Sequence, residues 1–176
     1  MTRPGECTAE RDTMSSTCEE RLRSYMSTHG VRGDHLVFPV SCHSVAEAAA
    51  AAGVRPADFV KSICMVTPSG ELVVAVVKGE DRADRRRLGR LLGEKPPRLA
   101  TPEEILAATG YPCGGTPPFG FPARYVIDER VLEQDVVYAG GGSATALVRI
   151  APAEMQRANG GIVAPIRKHS EGQAAP

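Results

Sequence analysis

Two apolar blocks dominate the middle of this 176-residue chain, Phe59-Val-Lys-Ser-Ile-Cys-Met-Val66 and Glu71-Leu-Val-Val-Ala-Val-Val77, separated by Pro68-Ser-Gly70. Runs this rich in β-branched residues, divided by a turn signal, predict two strands. His35-Leu-Val-Phe-Pro39 is a shorter run stopped by proline, which predicts an edge strand. Ala123–Ile127, Asp135–Ala139 and Thr145–Ile150 predict three more strands. Helical patterns lie between them. Ser15–Glu20 supplies capping residues ahead of Leu22, Tyr25 and Met26, which predicts a short helix ending near Gly30. Ser44 caps the alanine run that ends at Gly53, with Glu47 at the capping-box position. Asp81–Leu92 sets Leu88, Leu91 and Leu92 on one side and arginines around the rest. Thr101 and Pro102 open another helix with Glu103 and Glu104 in its first turn. Pro152–Ala158 closes the series. Strands and helices do not alternate regularly, so an α+β fold with a mixed sheet is expected. One domain over residues 16–167 is predicted, between flexible tails at 1–15 and 168–176.

Composition narrows the class. Hydrophobic residues are 42% and charged residues 24%, as in globular proteins, and no apolar run approaches the ~20 residues of a membrane span. The first residues carry no apolar secretory core, which predicts a cytoplasmic protein. The five cysteines, at 7, 18, 42, 64 and 113, form no C-x-x-C pair, which points to reduced thiols. No metal-ligand spacing is present, and no cofactor is expected. Formal net charge is zero, yet Arg82, Arg85, Arg86, Arg87, Arg90, Lys95 and Arg98 cluster against only Asp84 and Glu94. Such a face either attracts a phosphate backbone or is merely solvated.

The densest signal is Gly110-Tyr-Pro-Cys-Gly-Gly-Thr-Pro-Pro-Phe-Gly120, with four glycines and three prolines in eleven residues. It predicts a stiff loop whose bare backbone approaches a ligand. Lys61 lies upstream in an apolar strand and Gly140-Gly-Gly142 downstream; together they define a candidate site. The loop is no Walker A motif, because it lacks the Gly-Lys-Ser/Thr ending.

These motifs, in their order, resemble the YbaK/EbsC family, the prolyl-tRNA synthetase-associated editing domain. The resemblance rests on Val60-Lys61-Ser62, Val77-Lys-Gly79, Thr109-Gly-Tyr111, the Gly114–Gly120 loop, and Ala139–Gly142 leading to Ala151-Pro152, and it covers about residues 20–166. It implies a mixed, partly barrel-like β-sheet flanked by helices, and a trans-editing deacylase that hydrolyses the ester of a mischarged small amino acid on tRNA(Pro). It implies Lys61, Gly114 and Gly115 as catalytic groups. Ser62, Thr116, Pro118, Phe119, Gly120, Gly140, Gly141 and Gly142 would bind substrate. Arg82, Arg85, Arg86 and Arg87 would touch tRNA. Partners would be aminoacyl-tRNA and a synthetase, with no membrane, the chain being a monomer or weak homodimer. Certain relatives carry an Asp after the second glycine segment; here Ser143-Ala-Thr-Ala146 supplies no carboxylate.

Ester deacylation needs substrate placement, a held water and oxyanion stabilisation, but no covalent nucleophile. Lys61 would anchor the 3′ end, and the Gly114 and Gly115 amides would face the ester carbonyl. Cys113 as a nucleophile would need a basic partner, and none of the four histidines sits in a pairing motif. His35 and His43 fall near the expected pocket wall, where solvated or packed roles compete with a general-base role. The other class of function is a non-catalytic module that binds an aminoacyl or nucleotide end beside a synthetase.

Overall fold

The hairpin of β2 (Val60–Val66) and β3 (Leu72–Lys78) is the spine of the fold, paired antiparallel over its whole length. The computed structural model describes the backbone of residues 6–168 and the side chains of residues 17–168. β4 (Arg98–Leu99) pairs with the end of β2, while β5 (Arg124–Asp128) and β8 (Ile162–Ala164) continue the sheet in parallel from β3. The resulting five-stranded sheet is mixed, as expected from the irregular order of elements. A second, antiparallel sheet holds β1 (Gly33–Val37), β7 (Ala146–Ile150) and β6 (Val137–Gly140) in that order, with β1 on its edge. A parallel bridge between Phe59 and Tyr138 joins the two sheets at one corner, and they do not close into a barrel.

Each helix sits where its boundary chemistry puts it. α2 (Val45–Ala52) has the full capping box: Ser44 Oγ accepts the Glu47 N–H, Glu47 accepts the Ser44 N–H, and Gly53 is left-handed at φ 66°. Its Ala48 and Ala49 pack with Phe59 and Leu147, small side chains letting the helix lie close. α3 (Arg85–Leu92) starts later than the predicted Asp81, because the Asp84 carboxylate accepts from the Arg86 and Arg87 N–H groups and caps it there. α4 (Pro102–Thr109) carries its own capping box through Thr101 and Glu104, and α5 (Pro152–Asn159) opens on proline.

α1 (Glu6–Thr28) is longer than expected. A tail through residue 15 is predicted, yet the helix is continuous from Glu6, with no Gly or Pro inside it to break it. Cys18, Leu22 and Met26, four residues apart, bury one stripe of it in the main core. The C-terminal tail read from residue 168 lies, beyond Lys168, outside the described residues. That core fills the space between the sheets, with Val74, Val76, Tyr111, Phe119, Ile127 and Val148 at its centre. A smaller one lies on the far face of the five-stranded sheet under Leu88 of α3. No helix among the described residues is long and apolar enough to cross a membrane.

Candidate functional site

One edge of β2 opens on a cavity of about 460 Å3. The hydrogen-bond phase of the hairpin explains what that edge offers. The Phe59 carbonyl accepts the Gly79 N–H at 2.7 Å, and the Thr67 N–H donates to the Glu71 carbonyl at 3.0 Å. Odd-numbered residues of β2 therefore exchange bonds with β3, and even-numbered ones turn their backbone groups to the other edge. There the Cys64 carbonyl accepts the Ala100 N–H at 3.0 Å, and β4 covers only Met65 and Val66. The N–H and C=O of Ser62 are left on an uncovered edge that lines the cavity.

Lys61 leaves one face of the strand and Ser62 the other. The Lys61 ammonium is half-buried and takes no ion pair or hydrogen bond among the described residues. Burial lowers its pKa from the ordinary lysine value, the Arg82 guanidinium lowers it further, and Asp81 opposes in part. Asp81 is itself held by Arg130 at 2.9 Å. Ser62 Oγ is shut off from solvent and has no hydrogen-bond partner among the described residues.

The remaining walls come from four segments. Val45 and Ala48 of α2 form one side with Phe59; Leu99 and Ile105 form another. Cys113, Gly114 and Thr116 descend from the Gly/Pro loop, and Ala139 and Gly140 come from β6. The surface is mainly apolar, and no Asp or Glu lines it. Cys42, Cys64 and Cys113 all reach it as free thiols. Burial, then the nearby Cys113, pushes the Cys64 thiol up to about 12. Burial, then Glu47, raises that of Cys42. Cys113 is exposed and forms no hydrogen bond with a histidine among the described residues, so a cysteine–histidine pair is not assembled.

Of the residues expected at the site, Lys61, Ser62, Gly114, Thr116 and Gly140 line the cavity. Gly115, Pro118, Phe119, Gly120, Gly141 and Gly142 are not among the residues that line it. The Gly115 N–H donates to the Pro112 carbonyl at 3.0 Å and closes a turn, so it is no free donor for an ester oxygen. Gly115 lies instead against the backbone of Ser143, where a Cβ would fall 2.8 Å from it. Gly142 donates to the Gly115 carbonyl at 2.8 Å, while the Gly141 N–H donates to the Ala146 carbonyl at 2.9 Å and the Gly141 carbonyl accepts from His35 Nε2 at 2.7 Å. Pro118 and Phe119 are buried behind the cavity: the Pro118 carbonyl accepts from Asn159, and Phe119 stacks on Tyr25. Gly120 faces Tyr25 and Leu22 of α1. The two glycine segments thus serve mainly to bring two loops into backbone contact, rather than to bare backbone to a ligand.

Gly114 is the exception. It sits at φ 87° at the cavity, with the His43 ring where a side chain would be, at 2.6 Å from a built Cβ. Its N–H has no acceptor among the described residues. His43 thus lines the site, whereas His35 lies outside it as the anchor of Gly141. A buried contact unseen in the sequence backs the loops: Ser143 Oγ donates to Glu19 of α1 at 2.5 Å and accepts the Thr145 N–H at 3.2 Å.

On the basic face, Arg82, Arg85 and Arg86 are exposed, and no ion pair among the described residues engages them. Arg87 is committed to Asp84 and to the Pro165 carbonyl, and Arg98 to Glu104. The apolar wall residues carried no signal of function in the sequence, since Val45, Ala48, Phe59 and Leu99 read as ordinary core or strand positions.

Comparison with known proteins agrees with this geometry. The model of the aminoacyl-tRNA editing domain matches residues 40–158. An uncharacterized protein of Bacillus subtilis strain 168, YwhH, is 26% identical over 137 residues, covering 76% of this chain and 86% of its own length. A proline–tRNA ligase of Nitratidesulfovibrio vulgaris strain Hildenborough is 38% identical over 78 residues, 44% of this chain but only 13% of the ligase. Among solved structures, one described as a candidate trans-editing enzyme for prolyl-tRNA synthetase superposes with a TM-score of 0.80 at 34% identity, covering 86% of this chain and 98% of the other. With more than half its length matched by that domain model, the chain belongs to the aminoacyl-tRNA editing domain family.

Proposed function

We propose that this protein is a trans-editing deacylase that hydrolyses the ester of a small, wrongly attached amino acid on tRNA(Pro). The observation that carries this reading is Lys61: an unclaimed, half-buried ammonium at the edge of an apolar cavity, adjacent in sequence to an uncovered strand edge. A cation held out of bulk water attracts the 3′-terminal phosphate or the polarised carbonyl more strongly than a solvated one does. The Ser62 N–H and C=O fit the main-chain groups of the amino acid, and the Gly114 N–H fits the developing oxyanion. Water attacks the ester carbonyl, the C–O bond to the ribose breaks, and the free amino acid and tRNA leave. The neighbouring ribose hydroxyl would accept the water proton while passing its own to the departing ribose oxygen, a relay that needs no carboxylate in the wall. Arg82, Arg85 and Arg86 extend the positive surface outward for the acceptor-stem phosphates.

The test is a panel of tRNA(Pro) charged with Ala, Ser, Thr, Cys or Pro, incubated with catalytic amounts of protein beside Lys61→Ala. Release of a non-cognate amino acid with multiple turnovers, reduced about 100-fold or more in the variant, is expected for loss of a charged transition-state contact. Saturable tRNA binding without release from any ester would instead identify a binding module.

A further inference from the structure

The two glycine loops at the cavity meet one helix. Gly110 and Gly120 bound the Gly/Pro loop, and Gly142 ends the second glycine segment; all three have positive φ, and all three face α1. An added Cβ at Gly110 would collide with the Arg21 guanidinium. At Gly120 it would lie 3.6 Å from Tyr25, and at Gly142 3.1 Å from the Cys18 carbonyl oxygen. We propose that α1 is a clamp that fixes the Gly114 N–H and Thr116 in the cavity, with Glu19 and Arg21 as the positioning residues through which it acts. This rests on the deacylase reading and adds to it residues outside the 40–158 span that the domain model matches.

Arg21 holds the start of the first loop. Its Nη2 donates to the Gly110 carbonyl at 2.5 Å and to the Thr109 carbonyl at 3.4 Å, and its guanidinium carbon lies 4.0 Å from the centre of the Tyr111 ring. Those carbonyls end α4, where a helix leaves acceptors unpaired and favours a cation. The face of the Tyr111 ring adds to the attraction. Glu19 holds the second loop. It is buried, and Ser143 Oγ donates to its carboxylate at 2.5 Å while accepting the Thr145 N–H at 3.2 Å. A bond to a charged acceptor is among the stronger ones, and losing that acceptor leaves a buried hydroxyl unpaired.

The two anchors meet at Gly114. The Gly142 N–H donates to the Gly115 carbonyl at 2.8 Å, and the Gly115 N–H donates to the Pro112 carbonyl at 3.0 Å. Contacts therefore run without a break from α1 through Gly142 to the residue after Gly114. Neither Glu19 nor Arg21 lines the cavity, so each acts through the loops and not on the substrate. The helix itself is seated by Cys18, Leu22 and Met26 in the main core. Removing one polar contact thus frees a loop while the helix keeps its place, which separates alignment of the site from stability of the fold.

The test is amide hydrogen exchange by NMR on the full chain, beside ester hydrolysis, in Arg21→Met and Glu19→Met. The Gly115 and Gly142 amides are expected to exchange at least about tenfold faster in both variants, while the Val73 and Ala75 amides of the hairpin stay within about twofold of wild type. The kcat should fall about 10- to 100-fold, the cost of misplaced groups in a site. Affinity for uncharged tRNA(Pro) should stay within about threefold, because Lys61 and the exposed arginines of the basic face are untouched. Glu19→Gln keeps an acceptor for Ser143 and should return loop exchange and kcat to within about threefold of wild type. If Glu19→Met does not fold, Arg21→Met, at an exposed position, and Ser143→Ala decide the question by the same readouts. Loop amides that keep wild-type exchange overturn the proposal. So do loop and hairpin amides that speed up together, which marks plain loss of stability, and faster loop exchange with unchanged kcat. Hydrolysis of no ester by the wild type refutes the deacylase reading alone, and the exchange pattern then decides the clamp by itself.

Discussion

Replacing Gly140 by alanine isolates the contact between the two glycine segments. Gly140 is at the end of β6 with no positive φ, so alanine carries no intrinsic backbone penalty there. The added methyl would lie 2.5 Å from the Thr116 carbonyl oxygen and 3.0 Å from Gly115. Ordinary contact starts at 3.4 Å, so the loops must separate by about 0.9 Å or the strand must shift by as much. Both neighbours are backbone, and neither swings aside as a flexible side chain would. Overpacking of this kind costs about 1–3 kcal/mol. A chain of this size loses roughly 2–4 °C in Tm per kcal/mol, so a fall of roughly 2–12 °C is expected. The separation also strains the 2.8 Å bond from Gly142 to the Gly115 carbonyl and displaces Thr116 in the cavity wall. A misplacement on this scale can cost about 100-fold in kcat/KM. Thermal unfolding and ester hydrolysis are measured on the same preparation. Gly70→Ala is the control: its φ of 88° carries strain, but nothing lies within 4 Å of the added Cβ, and the turn is not among the residues that line the cavity. It should lose about 1–2 kcal/mol of stability and no catalytic efficiency. If Gly140→Ala keeps wild-type Tm and wild-type kcat/KM, the loops are not in rigid backbone contact and the reasoning fails.

Five further outcomes follow from particular contacts. Arg82→Gln removes the like charge that helps depress Lys61, so the lysine should titrate at higher pH by 13C NMR of its ε-carbon; a downward or absent shift refutes the coupling. Because Lys61 loses its proton below the ordinary lysine pKa of about 10.4, tRNA affinity should weaken below that pH in wild type and not in Lys61→Arg. Glu154 is held at about pKa 2, chiefly by Arg157 and then by the Arg32 N–H. Its stabilisation is full above the unfolded carboxyl value of about 4.3 and drains as pH falls toward 2. Glu154→Gln should therefore flatten urea stability between about pH 5 and pH 2, and an unchanged slope would count against the network. Ser44→Ala deletes the α2 cap and should cost about 1 kcal/mol by urea unfolding, where no loss would show the capping box to be idle. Charge reversal at Arg85 and Arg86 should weaken tRNA binding and reduce its salt slope by about one per lost phosphate contact, whereas an unchanged slope places the RNA elsewhere.

What the sequence made legible was whatever has a local cause. The caps at Ser44 and Thr101, the left-handed Gly53 that ends α2, and the β2–β3 hairpin are each dictated by a few consecutive residues, and each stands where expected. β4 and β8, of two and three residues, escape because their pairing is set by tertiary contact. The site divides the same way. Lys61 and Gly114 are visible as motif residues. That the Gly115 N–H is consumed by Pro112, or that Glu19 reaches Ser143 across 124 positions, depends on folding distant segments together. A glycine in a sequence says that a Cβ is unwelcome, not whether a ligand or another strand of backbone occupies the space. Here, at Gly115, Gly140, Gly141 and Gly142, it is backbone.

The concentration of chemistry at Val60-Lys61-Ser62 follows from the period of a strand. Successive side chains leave opposite faces, so Lys61 puts an ammonium on one side and Ser62 a hydroxyl on the other. Between them, in the plane of the sheet, lie the backbone groups of Ser62, outward because the hydrogen-bond phase fixed by Phe59–Gly79 and Thr67–Glu71 assigns odd residues to β3. A slip of one residue would exchange all three: Lys61 would enter the main core, Ser62 would face α3, and the outward backbone would belong to the odd residues. On the proposed reading of the site, the register is therefore a functional requirement as much as a structural one. It is pinned at the turn, where the Gly70 N–H returns to the Thr67 carbonyl at 2.9 Å and the Glu71 N–H bonds Thr67 Oγ1 at 3.0 Å. It is pinned again at the far end by the 2.7 Å bond from Gly79 to Phe59. A hairpin locked at both ends can leave its middle edge bare without losing alignment, and that bare edge is where the cavity lies.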